Sequence, residues 1–328
     1  MLALEAGKHV FVEKPFSLTV KEGWAMVQAA RGTKRILMPA TQHRSAPHIA
    51  EAARMVQSGE IGAVIFLRAW NNQNIQDIWK TVADSPPAGL DWDFYLGPSP
   101  KVPFNRMRFL STFRLFYDYS GGYICDYGNH RIDSIHQIMG VSMPHTVSAL
   151  GKRLLFDRAG DVFDLHVVHY EYEKFVLEHV LNYTNGFGLG GRFPGFRYYN
   201  TAGQYDRPHG FAFYGSKATL MVDRVGWELY PEAGCGQKSG GDRKAVQGAD
   251  VTALHARNFI KQVRIGEKGA VGEMTGHTST ATCHLGTIAA KVGRTLHWNA
   301  EKQDFVNDRE ASRLLTRTLR KPYDLIKV

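Results

Sequence analysis

The hydrophobic pattern of this chain changes period once, and that change restricts the folds open to it. Up to residue 58, short apolar runs alternate with helix-length stretches. Leu2 to Gly7 reads as the last turns of a helix closed by a C′ glycine. His9 to Val12 is a short apolar strand that Glu13-Lys14-Pro15 ends. Thr19 caps a helix running to Ala30, with Gly32 as its stop. Ile36 to Met38 is a second buried strand. Pro47 to Ser58 is a further helix, with Ile49, Ala53, Met55 and Val56 as its apolar stripe and Gly59 beyond it. Elements of this order and length form an α/β unit with parallel strands. From Ala63 onward strands dominate: Ala63 to Trp70, Thr146 to Leu150, Val162 to Tyr172, Phe175 to Tyr183, Phe211 to Tyr214 and Thr219 to Val222. So many strands with so few helices predict a mostly antiparallel sheet. Two helical stretches, Val251 to Ile265 and His277 to Gly293, close the chain.

Composition narrows the class. The 328 residues are 44% apolar and 22% charged, as in a soluble globular protein with a sizeable core. No stretch approaches the roughly 20 apolar residues that cross a membrane, and no signal peptide is visible. Cys125, Cys235 and Cys283 lie far apart, so no disulfide framework is expected and the cytoplasm is the expected compartment. The net charge is 40 − 31 = +9. The basic residues are scattered beside acids, as from Lys302 to Asp308, so a solvated surface is expected rather than a nucleic-acid stripe. A mild excess of this kind also suits phosphorylated ligands. His43 and His48 have a possible metal spacing, but no third ligand is apparent and no metal is expected. His166 and His169, three apart on a strand, point to opposite faces.

The chemistry concentrates in Gly121-Gly122-Tyr123-Ile124-Cys125-Asp126-Tyr127-Gly128-Asn129-His130-Arg131-Ile132-Asp133. An acid, an imidazole and a second acid stand at i, i+4 and i+7, one face of a helix. A histidine flanked by carboxylates is suited to moving protons near neutral pH. The bland alternative is a helix start, with Asp126 complementing the dipole and His130 packed in the core. The preceding glycines permit a close backbone approach or a sharp entry. Between about Asn71 and Ser120 lies a proline-punctuated insertion. With neighbouring Trp70 it carries Trp92, Tyr95, Phe104, Phe113, Phe116 and Tyr119, which suit either a carbohydrate lid or anchors for a long loop. Ala233 to Gly248 is expected to be an exposed loop.

Three segments together resemble the Gfo/Idh/MocA family of sugar and cyclitol dehydrogenases. Ala6 to Pro15 is similar to the family's A-G-K-H-V-x-x-E-K-P. The Gly121 to Asp133 run is similar to G-G-x-x-x-D-x-G-x-H-x-x-D. Phe213 to Leu220 is a weaker likeness to a glycine turn of the C-terminal sheet. Asp91 to Pro98 and Cys283 to Gly286 look like one bacterial branch whose members are known mostly only as oxidoreductases, so no substrate carries over. The resemblance implies an α/β plus α+β fold. Residues 1–45 would be the C-terminal remnant of a Rossmann NAD(P)-binding domain. Residues 46–328 would form a domain with a large, mostly antiparallel open sheet and flanking helices, 277–293 packing back on the first part.

In that family a strand, G-x-G-x-x-G and a helix bind the pyrophosphate. This chain starts near the end of such a domain, which leaves apolar sheet edges uncovered. It is expected to bind NAD(P) weakly or not at all unless a missing segment is supplied. Gly186-Phe187-Gly188-Leu189-Gly190-Gly191 satisfies the motif literally, but Arg192-Phe193-Pro194-Gly195 cannot open a helix, so a sheet-edge loop is expected.

By resemblance the chain is an NAD- or NADP-dependent oxidoreductase acting on a sugar, cyclitol or polyol. His130 is the acid or base and Lys14 steadies the substrate oxygen. Asp126 orients the His130 ring or binds a hydroxyl. Glu13, Lys14, Pro15 and Arg44 border the cofactor; Asp133, Arg44 and Asn129 meet the substrate. The residues themselves leave Arg44 open between facing the nicotinamide or an anionic substrate and a solvated side chain, and Asp133 between substrate and a cap or a pair with Arg131. Self-association through the second sheet is expected, with neither nucleic acid nor membrane as partner. Two other functions fit the same motifs: a redox-type NAD-dependent glycoside hydrolase, and a non-catalytic sugar-binding or interaction subunit.

Overall fold

The computed structural model describes residues 1–75, 85–155, 160–189, 207–234, 244–266 and 269–323. The N-terminal unit holds α1 (Leu2–Glu5), β1 (Val10–Val12), α2 (Val20–Thr33) and β2 (Leu37–Pro39), with β1 and β2 parallel. Thr19 and Glu22 form a reciprocal capping box at the start of α2. The helix runs through Gly32 and stops instead at Lys34, whose φ of 54° is left-handed. Leu4, Phe16, Val27, Ala30 and Leu37 make a small core of their own.

α3 (Pro47–Gln57) leads into β3 (Val64–Asn72), the longest strand. A ten-stranded sheet is built around it from β4 (Thr146–Lys152), β5 (Leu165–Glu171), β6 (Val176–Asn182), β7 (His209–Gly215), β8 (Ala218–Val222), β9 (Gly226–Pro231), β10 (Lys244–Gln247), β11 (Leu296–Asn299) and β12 (Asp304–Phe305). The order is β10-β9-β8-β7-β3-β6-β5-β4-β11-β12, and only β3 with β6 is parallel. Alternation in β5 shows why one face is covered: His166, Val168 and Tyr170 are buried, while His169 and Glu171 are exposed. The open face carries the stacked pair Phe66–Tyr214 and the ion pair Arg68–Glu178. β10 lies inside the segment expected to be an exposed loop; it extends the sheet by pairing with β9. Cys125 and Cys283 are free thiols, and Cys235 lies outside the described residues.

The covered face packs against α5 (Asn129–Met139) and α7 (Glu273–Val292), which begins four residues before the expected start. α6 (Thr252–Ile265) precedes it, and α8 (Arg309–Arg313) follows β12. Small residues let α7 sit between both units. A methyl at Gly286 would stand 2.5 Å from the Tyr170 hydroxyl, and one at Gly276 would stand 2.7 Å from Phe16. Phe16 N donates to Thr280 Oγ1 (3.0 Å), and His284 Nε2 lies 3.1 Å from Ser17 O. In the insertion, Trp92 and Tyr95 of α4 (Trp92–Leu96) stack on each other, with Phe104 and Phe109 edge-on. These rings pack the loop against itself, while Phe116 joins the main core. No helix among the described residues is long and apolar enough to cross a membrane.

Candidate active site

Lys14 stands just beyond β1, and the Lys14–Pro15 bond is cis. Its ammonium reaches across 112 residues to Asp126, bonding Oδ1 at 2.6 Å and the main-chain oxygen at 3.1 Å. Arg114 Nε takes the other carboxylate oxygen at 2.9 Å. Asp126 therefore bridges two cations, and both its oxygens are engaged. It does not orient the His130 ring, as the helical spacing suggested; the nearest aromatic neighbour of His130 is His43, with ring centroids 4.7 Å apart.

The backbone explains why the acid and the imidazole converge while the second acid does not. Gly122 has φ +73°, and a methyl at Gly121 would fall 2.2 Å from Cys125 Sγ, so only glycines admit this entry. Ile124–Gly128 then forms a π-helical turn before α5 begins at Asn129. A wider turn advances fewer degrees per residue than an α-helix. Asp126 and His130 are brought into line by it, and Asp133 rotates away.

Asp126 and His130 consequently share the wall of a cavity of about 470 Å³ with Lys14, Arg114, Arg131 and Arg224. Asp133 does not line it. Its Oδ1 accepts from Arg44 Nε at 2.8 Å, in a pair that is almost wholly buried. Burial lifts the Asp133 carboxyl above its ordinary value, with the Arg44 charge pulling the other way. Arg44 is therefore not a solvated side chain, and Asp133 pairs with Arg44 rather than Arg131. Asn129 is corrected likewise. It is fully buried and donates to the Thr280 and Ser279 hydroxyls, tying α5 to α7. Glu13 is exposed and Pro15 partly so; neither lines the cavity.

His130 is 8% exposed, and its Nδ1 is buried with no partner among the described residues. Burial, then His43, Lys14, Arg131 and Arg224, push its pKa well below the imidazole value. The ring is therefore neutral at pH 7, and the same burial and cations disfavour its imidazolium form. His43 is displaced in the same direction, by burial first. Among the described residues no cluster of three or more His, Cys, Asp or Glu could hold a metal.

Arg114, Arg131 and Arg224 were missed as site residues. Arg131 stood inside the motif, beside His130. Arg224 sits in the turn between β8 and β9, and only the sheet order brings it to the cavity. The literal G-x-G-x-x-G at 186–191 runs past the described residues. Within them, a methyl at Gly188 would meet the Arg207 carbonyl at 1.8 Å, so that glycine is closed against chain and not open to a phosphate.

Comparison with known proteins agrees with this architecture. An aldose-aldose oxidoreductase from Caulobacter crescentus, solved with glycerol, superposes with a TM-score of 0.64 over 90% of this chain and 74% of its own, at 20% identity. A levoglucosan dehydrogenase solved with NADH and L-sorbose gives 0.65 over the same shares, at 17% identity. In sequence, levoglucosan dehydrogenase from Pseudarthrobacter phenanthrenivorans is 35% identical over 28% of this chain and 22% of its own length. The scyllo-inositol 2-dehydrogenase (NAD(+)) of Bacillus subtilis is 35% identical over 21% of this chain and 20% of its own. The chain thus spans about a fifth of the length of these curated relatives. The family model described as "Oxidoreductase family, NAD-binding Rossmann fold" matches residues 1–41. The one described as "Oxidoreductase family, C-terminal alpha/beta domain" matches 56–172 and 243–325, more than half of the sequence, and the chain accordingly belongs to the Gfo/Idh/MocA oxidoreductase family.

Proposed function

We propose that this protein is an NAD(P)-dependent oxidoreductase that interconverts a hydroxyl and a carbonyl on a sugar, cyclitol or related polyol. The observation that carries the reading is the convergence of Lys14 and a neutral His130 on one cavity from segments far apart in the chain. The names of the relatives, dehydrogenases of levoglucosan and scyllo-inositol, support the substrate class.

The described residues fit the nicotinamide end of such a cofactor: Lys14 lies at the carboxyl end of a parallel strand, the usual ligand edge, beside an imidazole with an unengaged buried nitrogen. A nicotinamide dinucleotide, when bound, supplies the hydride acceptor. The chain's own part is the proton and the charge. His130 takes the hydroxyl proton as the C–H bond breaks. Lys14 donates a hydrogen bond to the same oxygen and stabilises its developing negative charge. Asp126 is a positioning residue, since it holds Lys14 by two contacts while Arg114 occupies its second oxygen.

The test is absorbance of reduced nicotinamide with NAD or NADP against a panel of aldoses and cyclitols. Stoichiometric formation with at least one of them, by the chain supplied with a strand–G-x-G-x-x-G–helix segment, is the expected result. Release of an aglycone with no net reduced cofactor indicates the hydrolase instead, and binding without either overturns catalysis. We further expect the open face of the ten-stranded sheet to mediate self-association. Light scattering should show a dimer or larger at micromolar concentration, and a monomer alone would remove that expectation.

A further inference from the structure

We infer that Cys125 and Cys283 form a hydroperoxide-sensitive dithiol, with His284 as its base and a cavity walled by α7 as the entry for the oxidant. The inference stands apart from the proposed reaction, because it uses neither Lys14 nor His130. Cys125 lies in the π-helical turn, Cys283 and His284 lie on α7, and α7 packs against that turn. The two thiols share a hydrogen bond. Cys125 Sγ is 3.5 Å from His284 Nδ1. The other ring nitrogen, Nε2, is 3.1 Å from the Ser17 main-chain oxygen. A carbonyl only accepts, so Nε2 carries the ring proton and Nδ1 meets Cys125 with its lone pair. The imidazole is thereby oriented to take the thiol proton, which an inert buried cysteine lacks the partner to give up.

Electrostatics divides the labour between the sulfurs. Burial pushes the Cys125 thiol up, but the hydrogen bond from Cys283 and the charge and hydrogen bond of His284 bring it below its ordinary value, with Asp126 opposing them. Cys283 is pushed well up, first by burial. One thiolate is there to attack and one thiol to resolve. Both side chains are buried, yet Cys125 lies just behind a cavity wall. Gly121 and His284 line a cavity of about 350 Å³, separate from the one that Lys14 and His130 share. Gly121 puts no side chain in between: a methyl there would fall 2.2 Å from Cys125 Sγ. Hydrogen peroxide is little larger than water, whose share of volume is about 30 Å³. The Cys125 thiolate attacks one peroxide oxygen, an S–O bond forms and the O–O bond breaks. The departing hydroxide takes the proton from His284 and leaves as water, and Cys125 becomes a sulfenic acid. Cys283 sulfur then attacks Cys125 sulfur, the S–S bond forms, the S–O bond breaks, and hydroxide leaves with the Cys283 proton as a second water. Two thiols are oxidised by two electrons and one peroxide is reduced. Cys125 adjoins Asp126, which holds Lys14, so the bridge would tie the turn beside the active site to α7.

Intact mass and non-reducing peptide mapping of the full chain after exposure to hydrogen peroxide test this. The parent carries Cys235→Ser, which leaves Cys125 and Cys283 as its thiols. The folded chain should lose two hydrogens, yield one peptide pair joined through Cys125 and Cys283, and regain both thiols in dithiothreitol. Cys283→Ala should stop at a sulfenic acid on Cys125, trapped by dimedone. His284→Gln should slow the reaction about tenfold, through a smaller thiolate fraction. Mapping the unsubstituted chain in the same way keeps the outcome readable if a variant fails to fold. Neither readout needs turnover, so a failure of the dehydrogenase assay leaves it intact. Thiols that stay reduced in excess peroxide, a bridge that forms only in urea, or first attack by Cys283 overturns the inference. So does a His284→Gln rate equal to the parent's.

Discussion

Acidification from pH 7 to pH 5 should destabilise this fold by an amount comparable to the whole stability of an ordinary domain. The cause is a set of buried histidines. His136 and His179 are held at about 3, and His166 and His277 at about 4, in each case first by burial. Their unfolded value lies near 6.5. A histidine whose pKa falls on folding binds fewer protons in the native state, so the unfolded state gains as pH drops below about 6.5. The loss deepens until the native values near 3 to 4 are reached. At pH 5 each contributes about 2 kcal/mol, and the four together are on the order of 8 kcal/mol, against about 5–15 for a typical protein. His43 and His130 act in the same direction. His284 opposes it: burial lowers its pKa, but the charge interaction and hydrogen bond with the Cys125 sulfur, 3.5 Å from Nδ1, help outweigh that and raise it. Asp133, lifted by burial, also opposes it. Thermal melts at pH 7, 6 and 5 should show a fall of at least about 10 °C. A constant melting temperature across that range would refute the assignment of these histidines as neutral and buried.

Replacing His130 by alanine should lower kcat roughly 10²- to 10⁴-fold, the usual contribution of a positioned acid or base. KM should change far less, because the cations that hold the ligand remain. Lys14→Met should act on the same step by removing the charge at the developing alkoxide. It also strands one oxygen of Asp126, which 2.6 Å of ammonium contact now satisfies. Asp126→Asn separates these roles: the base stays and the hold on Lys14 weakens, so a smaller loss in kcat is expected. Steady-state kinetics with the substrate found in the panel decides the ranking. Full turnover by His130→Ala and Lys14→Met would end the site assignment. Because His130 is held well below the ordinary imidazole range, the acid limb of the kcat profile should follow unfolding and not the titration of the base.

Much of the framework was legible in the order of residues. Hydrophobic period distinguished the parallel unit from the strand-rich part, and strands β3 to β8 fall within a few residues of their expected bounds. Thr19 announced the start of α2 by a local hydrogen bond, which needs only its neighbours. The stop at Gly32 was misplaced because Lys34 accepts the left-handed conformation that glycine usually takes. The expected place of Asp133 on the Asp126–His130 face failed for a different reason. Spacing alone assumes an ideal helix, and the π-helical turn at Ile124–Gly128 changes which side chains share a face.

By itself, then, the sequence determined the local periodicities, the glycine entry and the family motifs, because each depends on residues within a turn or two of one another. Only the tertiary structure decided that Asp126 serves Lys14 and Arg114, that Asp133 is consumed by Arg44, and that Arg224 joins the cavity. Those partnerships join segments far apart in the chain, and they are set by how α5, α7 and the ten-stranded sheet pack, a quantity no short window of residues encodes.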